Sequence, residues 1–164
     1  MALRQVRDLV WAKPSDAVHP VSRPRGAKAF GTRYERALGR GLPYAVRGQW
    51  WRFEDGNGYG ACQTDFLFSV GRIIVVLEAK YRWTFEGHQQ LEALYQPVVR
   101  AALERDVVGI VVCKILASGM KGLALTGSMR DAVGLALRGS RVVLHWIGQS
   151  AAALGLAGAE RLEL

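Results

Sequence analysis

Two charged residues, Glu78 and Lys80, directly follow an apolar stretch of this 164-residue chain. The stretch is Ile73-Ile74-Val75-Val76-Leu77, an aliphatic and largely β-branched run typical of a strand that is covered on both faces of a sheet. Side chains alternate across a strand, so Glu78 and Lys80 share one face and Ala79 takes the other. Because charged groups are rarely buried without partners, this pair requires a chemical explanation.

Asp65 offers that explanation, since it lies thirteen residues before Glu78 on the preceding predicted strand. A tight turn at residues 70–72 joins the two strands, so both carboxylates are expected at the same end of the hairpin. Two carboxylates held together repel each other, and one would protonate unless a cation lay between them. A divalent ion with oxygen ligands would resolve that conflict, and Lys80 would orient a water molecule or offset charge on a phosphate. The alternative is a structural Glu78–Lys80 ion pair, with Asp65 capping a turn.

Asp65 followed by Glu78-Ala79-Lys80 resembles the active-site signature of the PD-(D/E)xK nuclease superfamily. The resemblance covers residues 31–116 and implies a restriction-endonuclease-like αβββαβ core, an α/β fold with a mixed central sheet flanked by helices. It implies Mg²⁺ or Mn²⁺ held by Asp65, Glu78 and the Ala79 carbonyl oxygen. Lys80 would position the attacking water and stabilise the phosphorane. Thr64 stands where the family carries a proline.

The same resemblance implies further site residues on two helices. Many members carry a glutamate on the helix before the sheet, and Glu35 would bind a second ion or hold metal waters. A glutamine on the next helix, Gln89 or Gln90, would orient the lysine or the phosphate. Some branches have Gln-x-x-x-Tyr, whereas Gln90 and Tyr95 are one residue further apart. Two alternatives stay open: Glu35 completes a capping box with Thr32 as the N-cap, and the glutamines form a polar first turn.

Hydrophobic periodicity and turn residues predict the elements that position these side chains. The predicted elements are a helix over 31–41, a strand over 44–53, a glycine-rich hairpin turn over 54–60, the two strands on either side of residues 70–72, a helix over 88–104 interrupted by Pro97, a buried strand over 106–116, a helix beginning after Ser128, and a last strand over 141–147. This order of elements predicts an α/β fold with a mixed sheet.

The positive charge of the chain is concentrated at one end. Its formal net charge is +8, and residues 1–52 hold eleven lysines and arginines against three acids, which accounts for the whole excess. Such asymmetry points to a polyanionic partner, most commonly DNA or RNA. The alternative is a solvated basic arm without a specific partner. The predicted nucleic-acid contacts are Arg23, Arg25, Lys28, Arg33, Arg36, Arg40, Tyr81 and Arg82. Of the aromatic residues Trp50, Trp51, Tyr81 and Trp83, at least half are expected to pack in the core instead of stacking on bases.

Length and composition predict one nuclease-like domain over 31–148. A basic arm over 1–30, extended or mobile apart from a short helix over 3–11, precedes it. An apolar tail over 149–164 is expected to pack on the same domain or on a second copy. Cys62 and Cys113 form no CxxC and have no nearby histidine pair, so we expect reduced core thiols. No apolar run approaches the roughly 20 residues that span a bilayer, and the N-terminus lacks a signal-peptide pattern, so we expect a location in the cytoplasm of a bacterium or phage-infected cell.

These observations together predict a Mg²⁺- or Mn²⁺-dependent deoxyribonuclease that leaves a 5′ phosphate. The small size suits a structure-selective enzyme that acts on junctions, flaps or DNA ends in recombination or repair, such as a Holliday-junction resolvase or a phage nuclease. A junction resolvase would be a homodimer, because two strands must be cut symmetrically. The alternative is a nucleic-acid-binding module that keeps the fold without cleavage. A metal hydrolase with other substrates is disfavoured, because His19, His88 and His145 are too scattered to form a ligand set.

Overall fold

The computed structural model describes residues 3–16, 27–148 and 150–164, and it builds them around one mixed β-sheet. The strands are β1 Trp11–Ser15, β2 Val46–Asp55, β3 Gly58–Val70, β4 Ile73–Arg82, β5 Val107–Ile115, β6 Ala124–Thr126, β7 Val142–His145 and β8 Ala159–Glu160. The helices are α1 Ala27–Gly41, α2 Phe85–Gln90, α3 Gln96–Leu103 and α4 Met129–Leu137. A π-helical segment, Leu91–Tyr95, joins α2 to α3, and a 3₁₀ turn covers Ala151–Leu154.

The strands lie in the order β1-β2-β3-β4-β5-β7-β6, and the short β8 pairs with β3. Strands β1 to β4 are antiparallel neighbours, whereas β4, β5, β7 and β6 run parallel. Parallel neighbours need a long crossover, which the helical stretch from α2 to α3 supplies between β4 and β5. The α/β class, the mixed sheet and the antiparallel meander followed by a crossover are therefore confirmed.

Each face of the sheet carries its own apolar cluster. Val75 and Leu77 pack in the cluster that includes α1 and α4, which we call the α1 side. Ile74 and Val76 pack in the cluster that includes the π-helical segment and α3, which we call the α3 side. The aliphatic run of β4 is thus covered on both faces, as its composition predicts.

The first helix begins four residues before its predicted start, at Ala27. Thr32 consequently lies inside α1, and the prediction that it caps the helix with Glu35 as its partner is wrong. The extension brings Phe30 against Tyr81 of β4, with ring centroids 5.5 Å apart. A tertiary aromatic contact therefore accompanies the longer helix and outweighs a local capping signal.

The described part of the N-terminal arm is packed against the body, and the helix predicted over residues 3–11 is wrong. Strand β1 pairs with β2, and the buried Asp55 carboxylate accepts hydrogen bonds from Arg4 Nη2 at 2.7 Å and from the Arg7 backbone N–H at 3.2 Å. The Val6 N–H donates to the Ala93 carbonyl oxygen at 3.0 Å. In an α-helix that oxygen would accept from residue 97, but Pro97 has no N–H to offer. The N-terminal arm thus donates to the Ala93 carbonyl oxygen in place of Pro97, which has no N–H.

The C-terminal tail also packs on the body. Leu154 is fully buried, its carbonyl oxygen accepts a hydrogen bond from the Tyr44 hydroxyl, and β8 extends the sheet beside β3. Cys62 and Cys113 are free, buried thiols, as predicted. Within the described ranges, none of the helices combines the length and the apolar character that crossing a membrane requires.

Candidate active site

Strands β3 and β4 separate at the point where the predicted site residues lie. Phe66 and Leu77 are the last paired residues of the two strands, and Asp65 and Glu78 are the next residue on each. We call this point, which Asp65 and Glu78 border, the fork. Beyond the fork, β4 continues beside β5 as far as Arg82. The Asp65 Oδ2 atom accepts a hydrogen bond of 2.8 Å from the Ala79 N–H, which bridges the fork. The structure therefore places both carboxylates at one end of the hairpin.

Asp65 lies where the side chains of β3 change the face of the sheet on which the even-numbered residues pack. Cys62 packs on the α3 side, whereas Phe66 and Phe68, also at even positions, pack on the α1 side. Between them, the fully buried Thr64 hydroxyl accepts a hydrogen bond from Trp51 Nε1 at 3.0 Å. This bond fixes the backbone just before Asp65, at the position where the resembled superfamily carries a proline. The inversion lets Asp65 reach groups on both sides of the sheet.

Glu78 and Lys80 form an ion pair on the α3 side, with 3.0 Å between Glu78 Oε1 and Lys80 Nζ. Glu78 is only 4 % exposed, and its second oxygen, Oε2, is buried without a hydrogen-bond partner among the described residues. The Lys80 side chain keeps a quarter of its surface exposed. Its stem runs along α2, because a Cβ atom placed on Gly87 would lie 3.5 Å from Lys80 Cε. The lysine stem is therefore held against α2, while its ammonium pairs with Glu78.

Glu35 of α1 joins the pair from the other side of the sheet. Its carboxyl group interacts with that of Asp65, and Arg47 Nη2 lies 3.8 Å from Glu35 Oε2. Burial and the Asp65 carboxylate raise the pKa of Glu35 to about 7. Sequence reasoning missed Arg47, since nothing in its local pattern distinguishes it from the other exposed arginines.

The carboxyl groups of the fork hold their protons more tightly than free carboxyl groups do. Burial and the nearby Glu78 carboxylate raise the pKa of Asp65 to about 8. Burial also raises the pKa of Glu78, although the Lys80 ammonium opposes that shift. Asp65 and Glu78 are close enough for their carboxyl groups to affect each other's pKa. In the absence of a cation, protonation of these carboxyl groups thus reduces the repulsion between them.

The π-helical segment brings Gln90 and Tyr95 into register. The Gln96 N–H bonds to the Leu91 carbonyl oxygen, five residues back, instead of four as in an α-helix. Across such a turn, residues five apart take the relation that residues four apart have in an α-helix. Tyr95 is buried, and burial followed by the Glu78 and Asp65 carboxylates raises its pKa. The wider π-helical turn therefore accommodates the extra residue between Gln90 and Tyr95.

The two predicted glutamines differ in environment. Gln89 is exposed, whereas Gln90 is partly buried and its Oε1 atom has no hydrogen-bond partner among the described residues. Gln90 follows Gly87 by one helical turn and shares its face, the face that contacts the Lys80 stem. Of the two, Gln90 is the one on the helix face that contacts the Lys80 stem. Tyr95 was not predicted as a site residue, because its spacing from Gln90 did not fit the expected motif.

The predicted nucleic-acid contacts fall into two groups. Arg33, Arg36 and Arg40 are exposed on α1, and Arg82 is exposed at the end of β4 beside the partly buried Tyr81. Arg23, Arg25 and the Lys28 side chain lie outside the described residues. Trp51 and Trp83 are core residues, while Trp50 and Tyr81 are partly exposed, so half of the four aromatic residues pack in the core as expected.

The donor atoms at the fork fit a hard divalent cation. Asp65 and Glu78 supply carboxylate oxygens, and the partnerless Oε2 of Glu78 is a buried acceptor that a cation would satisfy. Across the described residues, three or more Asp, Glu, His or Cys side chains are nowhere grouped as a metal site. The fit therefore concerns the carboxylates of Asp65 and Glu78, with the Glu35 carboxyl group interacting with Asp65. No family model, curated protein or solved structure matches this chain.

Proposed function

We propose that this protein is a metal-dependent deoxyribonuclease of the restriction-endonuclease-like type, hydrolysing phosphodiester bonds in branched, flapped or frayed DNA during recombination or repair. One observation carries the proposal: β3 and β4 separate and leave Asp65 and Glu78 side by side, with Lys80 on Glu78. A binding surface for phosphates has no physical need for buried carboxylates, which would repel them. A hydrolytic site needs them to hold a cation.

Mg²⁺ or Mn²⁺ at the fork would neutralise the carboxylates and act as a Lewis acid on the scissile phosphate. Asp65 and Glu78 would hold the ion, together with the Ala79 carbonyl oxygen. The Ala79 N–H keeps one oxygen of Asp65 oriented, and Lys80 keeps one oxygen of Glu78 oriented. Each carboxylate is thus already oriented, so an ion could bind its second oxygen with little further loss of side-chain conformational entropy.

Lys80 would orient the attacking water and stabilise the charge that develops on the phosphate oxygens. The water oxygen bonds to phosphorus while the bond to the 3′ oxygen breaks, which leaves a 5′ phosphate and a 3′ hydroxyl. Glu35 would hold water near the ion, and Gln90 would position Lys80 or the phosphate. The basic residues of α1 would contact the DNA backbone.

The test is cleavage of labelled linear duplex, single strand, flap and four-way junction with Mg²⁺, Mn²⁺ or EDTA. We expect metal-dependent cutting that Glu78→Ala and Lys80→Ala each reduce by at least about a hundredfold. Glu163→Ala and Lys121→Ala, exposed residues of the same types away from the fork, serve as matched controls and retain activity.

Two results would overturn the proposal. Salt-sensitive DNA binding without cutting in any metal would leave a nucleic-acid-binding module on the same fold. Cutting that survives Glu78→Ala would place the chemistry elsewhere in the molecule. The preferred substrate of the panel would name the branch of nuclease.

A further inference from the structure

A groove of about 310 Å³ lies on the α1 side of the sheet. It runs between α1 and the carboxyl ends of β4, β5 and β7, and its walls include Phe30, Tyr34, Tyr81, Lys114 and Trp146. The volume falls at the lower end of the roughly 300–1,000 Å³ typical of ligand sites. The lining is mainly aromatic and apolar, with cationic side chains at its edge. Such a surface suits a flat, apolar-faced and negatively charged ligand.

The aromatic rings of the groove are arranged around Tyr81. Phe30 lies 5.5 Å from Tyr81 at an interplanar angle of 30°, and Tyr34 meets Tyr81 edge-on at 6.4 Å. Tyr34 donates its hydroxyl to the Trp146 carbonyl oxygen at 2.8 Å, which fixes the floor of the groove. Phe30 remains 51 % exposed, an unusual state for a phenylalanine on a helix that packs against a sheet. About half of the Phe30 side chain is therefore accessible to a ligand.

Two cations accompany these rings. The Arg33 guanidinium lies 5.9 Å from the centre of the Phe30 ring, and the Lys114 ammonium lies 5.6 Å from the centre of the Tyr81 ring. Aromatic faces flanked by basic side chains are how proteins hold unpaired nucleotides, with bases on the rings and phosphates on the cations. A duplex does not fit this chemistry, because its base faces are already stacked on each other.

Two residues that line the groove are sequence neighbours of site residues. Tyr81 directly follows Lys80 on β4, and Tyr34 directly precedes Glu35 on α1. Side chains alternate across a strand, so Tyr81 faces the groove on the α1 side while the Glu78–Lys80 pair lies on the opposite face of β4. A nucleotide in the groove would therefore lie on the Glu35 side of the fork.

We propose that this groove binds the base of an unpaired nucleotide, so that the protein engages single-stranded DNA or the unpaired arm of a branched substrate next to the fork. The inference rests on the proposed function for its link to cleavage, but the binding step stands by itself. It assigns Phe30 and Tyr81 as stacking residues and Arg33 and Lys114 as phosphate contacts.

The test is binding of a fluorescent oligothymidylate in EDTA, followed by anisotropy, with an abasic strand of equal length as the second probe. Phe30→Ala removes an exposed ring and is expected to weaken oligothymidylate binding roughly tenfold, the scale of one lost base stack. Binding of the abasic strand, which keeps its phosphates, should stay within about twofold. Phe30→Trp retains a stacking face and should restore binding. Tyr59→Ala, a substitution of an aromatic residue 76 % exposed and outside the groove, is the matched control.

The outcomes separate this inference from the nuclease proposal. If Phe30→Ala and Tyr81→Ala bind oligothymidylate as tightly as the wild type does, the groove does not stack a base, whatever the cleavage assay gives. The same holds if these substitutions weaken binding of the abasic strand as much as binding of oligothymidylate. If the wild type binds no single strand, the inference also fails. If Phe30→Ala weakens binding selectively while no metal supports cleavage, the groove stands and the nuclease proposal falls.

Discussion

Asp65 shows at the scale of one residue how a cation would relieve the repulsion at the fork. Its carboxylate accepts a hydrogen bond from the Ala79 N–H and feels the Lys80 ammonium, and both favour the charged form. Burial and the Glu78 carboxylate outweigh them, so the pKa of Asp65 rises from 3.8 to about 8. Protein interactions alone leave the site short of positive charge at neutral pH. A divalent ion would supply what Lys80 and Arg47 do not.

A pH-dependent stability follows for the metal-free protein. The folded protein keeps the Asp65 proton up to about pH 8, whereas the unfolded chain loses it near pH 4, so stability declines as the pH rises through this window. We expect the free energy of unfolding to fall on the order of 2 kcal/mol from about pH 5 to about pH 8. Asp65→Asn should reduce this decline but not abolish it, because it removes the Asp65 charge while burial still raises the pKa of Glu35 and of Glu78.

Urea unfolding in EDTA at both pH values measures the effect. Asp106→Asn, an exposed aspartate outside the fork, should keep the wild-type decline. Added Mg²⁺ at the higher pH should stabilise the wild type but not Asp65→Asn, since binding to the folded state raises stability by mass action. A decline of equal size in Asp65→Asn would mean that other groups cause it.

Among the elements, α2 determines where the Lys80 stem lies. Gly87 allows the helix to approach the sheet, because an added Cβ would lie 3.3 Å from Val111 Cγ2 and 3.5 Å from Lys80 Cε. A larger side chain at this position would push the lysine away from Glu78. In the proposed reaction, α2 would thus affect the rate through the position of the Lys80 stem.

Gly87→Val is expected to lower the cleavage rate of the proposed nuclease about tenfold or more, because displacing a positioned group is costly even when the fold persists. Cleavage at saturating Mg²⁺ measures the rate, and circular dichroism checks the fold. Gly134→Val on α4 is the control, since a Cβ there would meet only Arg138 Nη1, at 3.6 Å. An unchanged rate in Gly87→Val would show that the Lys80 position does not limit the reaction.

Prediction from sequence succeeds where one element carries a strong periodic pattern. The apolar run of β4 specifies a doubly covered strand, and period-two alternation then sets Glu78 and Lys80 on one face. Strands β1, β6 and β8 escape prediction, because they have five, three and two residues and owe their form to a neighbour. The π-helical segment escapes it as well, since it depends on Pro97 and on the Val6 N–H from a distant part of the chain.

The site residues likewise fall into those that the local sequence pattern predicts and those that it does not. Local spacing suffices to bring Asp65 and Glu78 together, because a two-residue turn fixes the register of their strands. The Glu35–Asp65 contact joins two distant elements, and only a family resemblance suggested it. Tyr95 and Arg47 come close to the carboxylates through packing that no local pattern encodes.

For the whole molecule, the distribution of charge sets how DNA would be held. The net charge of +8 resides in the first 52 residues, while the remaining residues carry equal numbers of acids and bases. In the described part, this basic third reaches the fork through α1, which bears Glu35 on one side and exposed Arg33, Arg36 and Arg40 on others. Binding driven by phosphate contacts must therefore depend on the N-terminal third more than on the rest.

Salt dependence tests this division of labour. Each phosphate contact contributes about 0.9 to the slope of log affinity against log salt concentration on duplex DNA. Replacing Arg33, Arg36 and Arg40 together by Gln should lower the steepness of that slope by up to about 3 and weaken binding most at low salt. The matched control replaces Lys121, Arg130 and Arg138 by Gln, which removes three exposed cations from the electrically neutral remainder of the chain. Anisotropy titrations in EDTA over about 50 to 200 mM NaCl give both slopes. If the two triple variants lose equal slope, the asymmetry of charge does not direct DNA to the fork, and net charge alone accounts for binding.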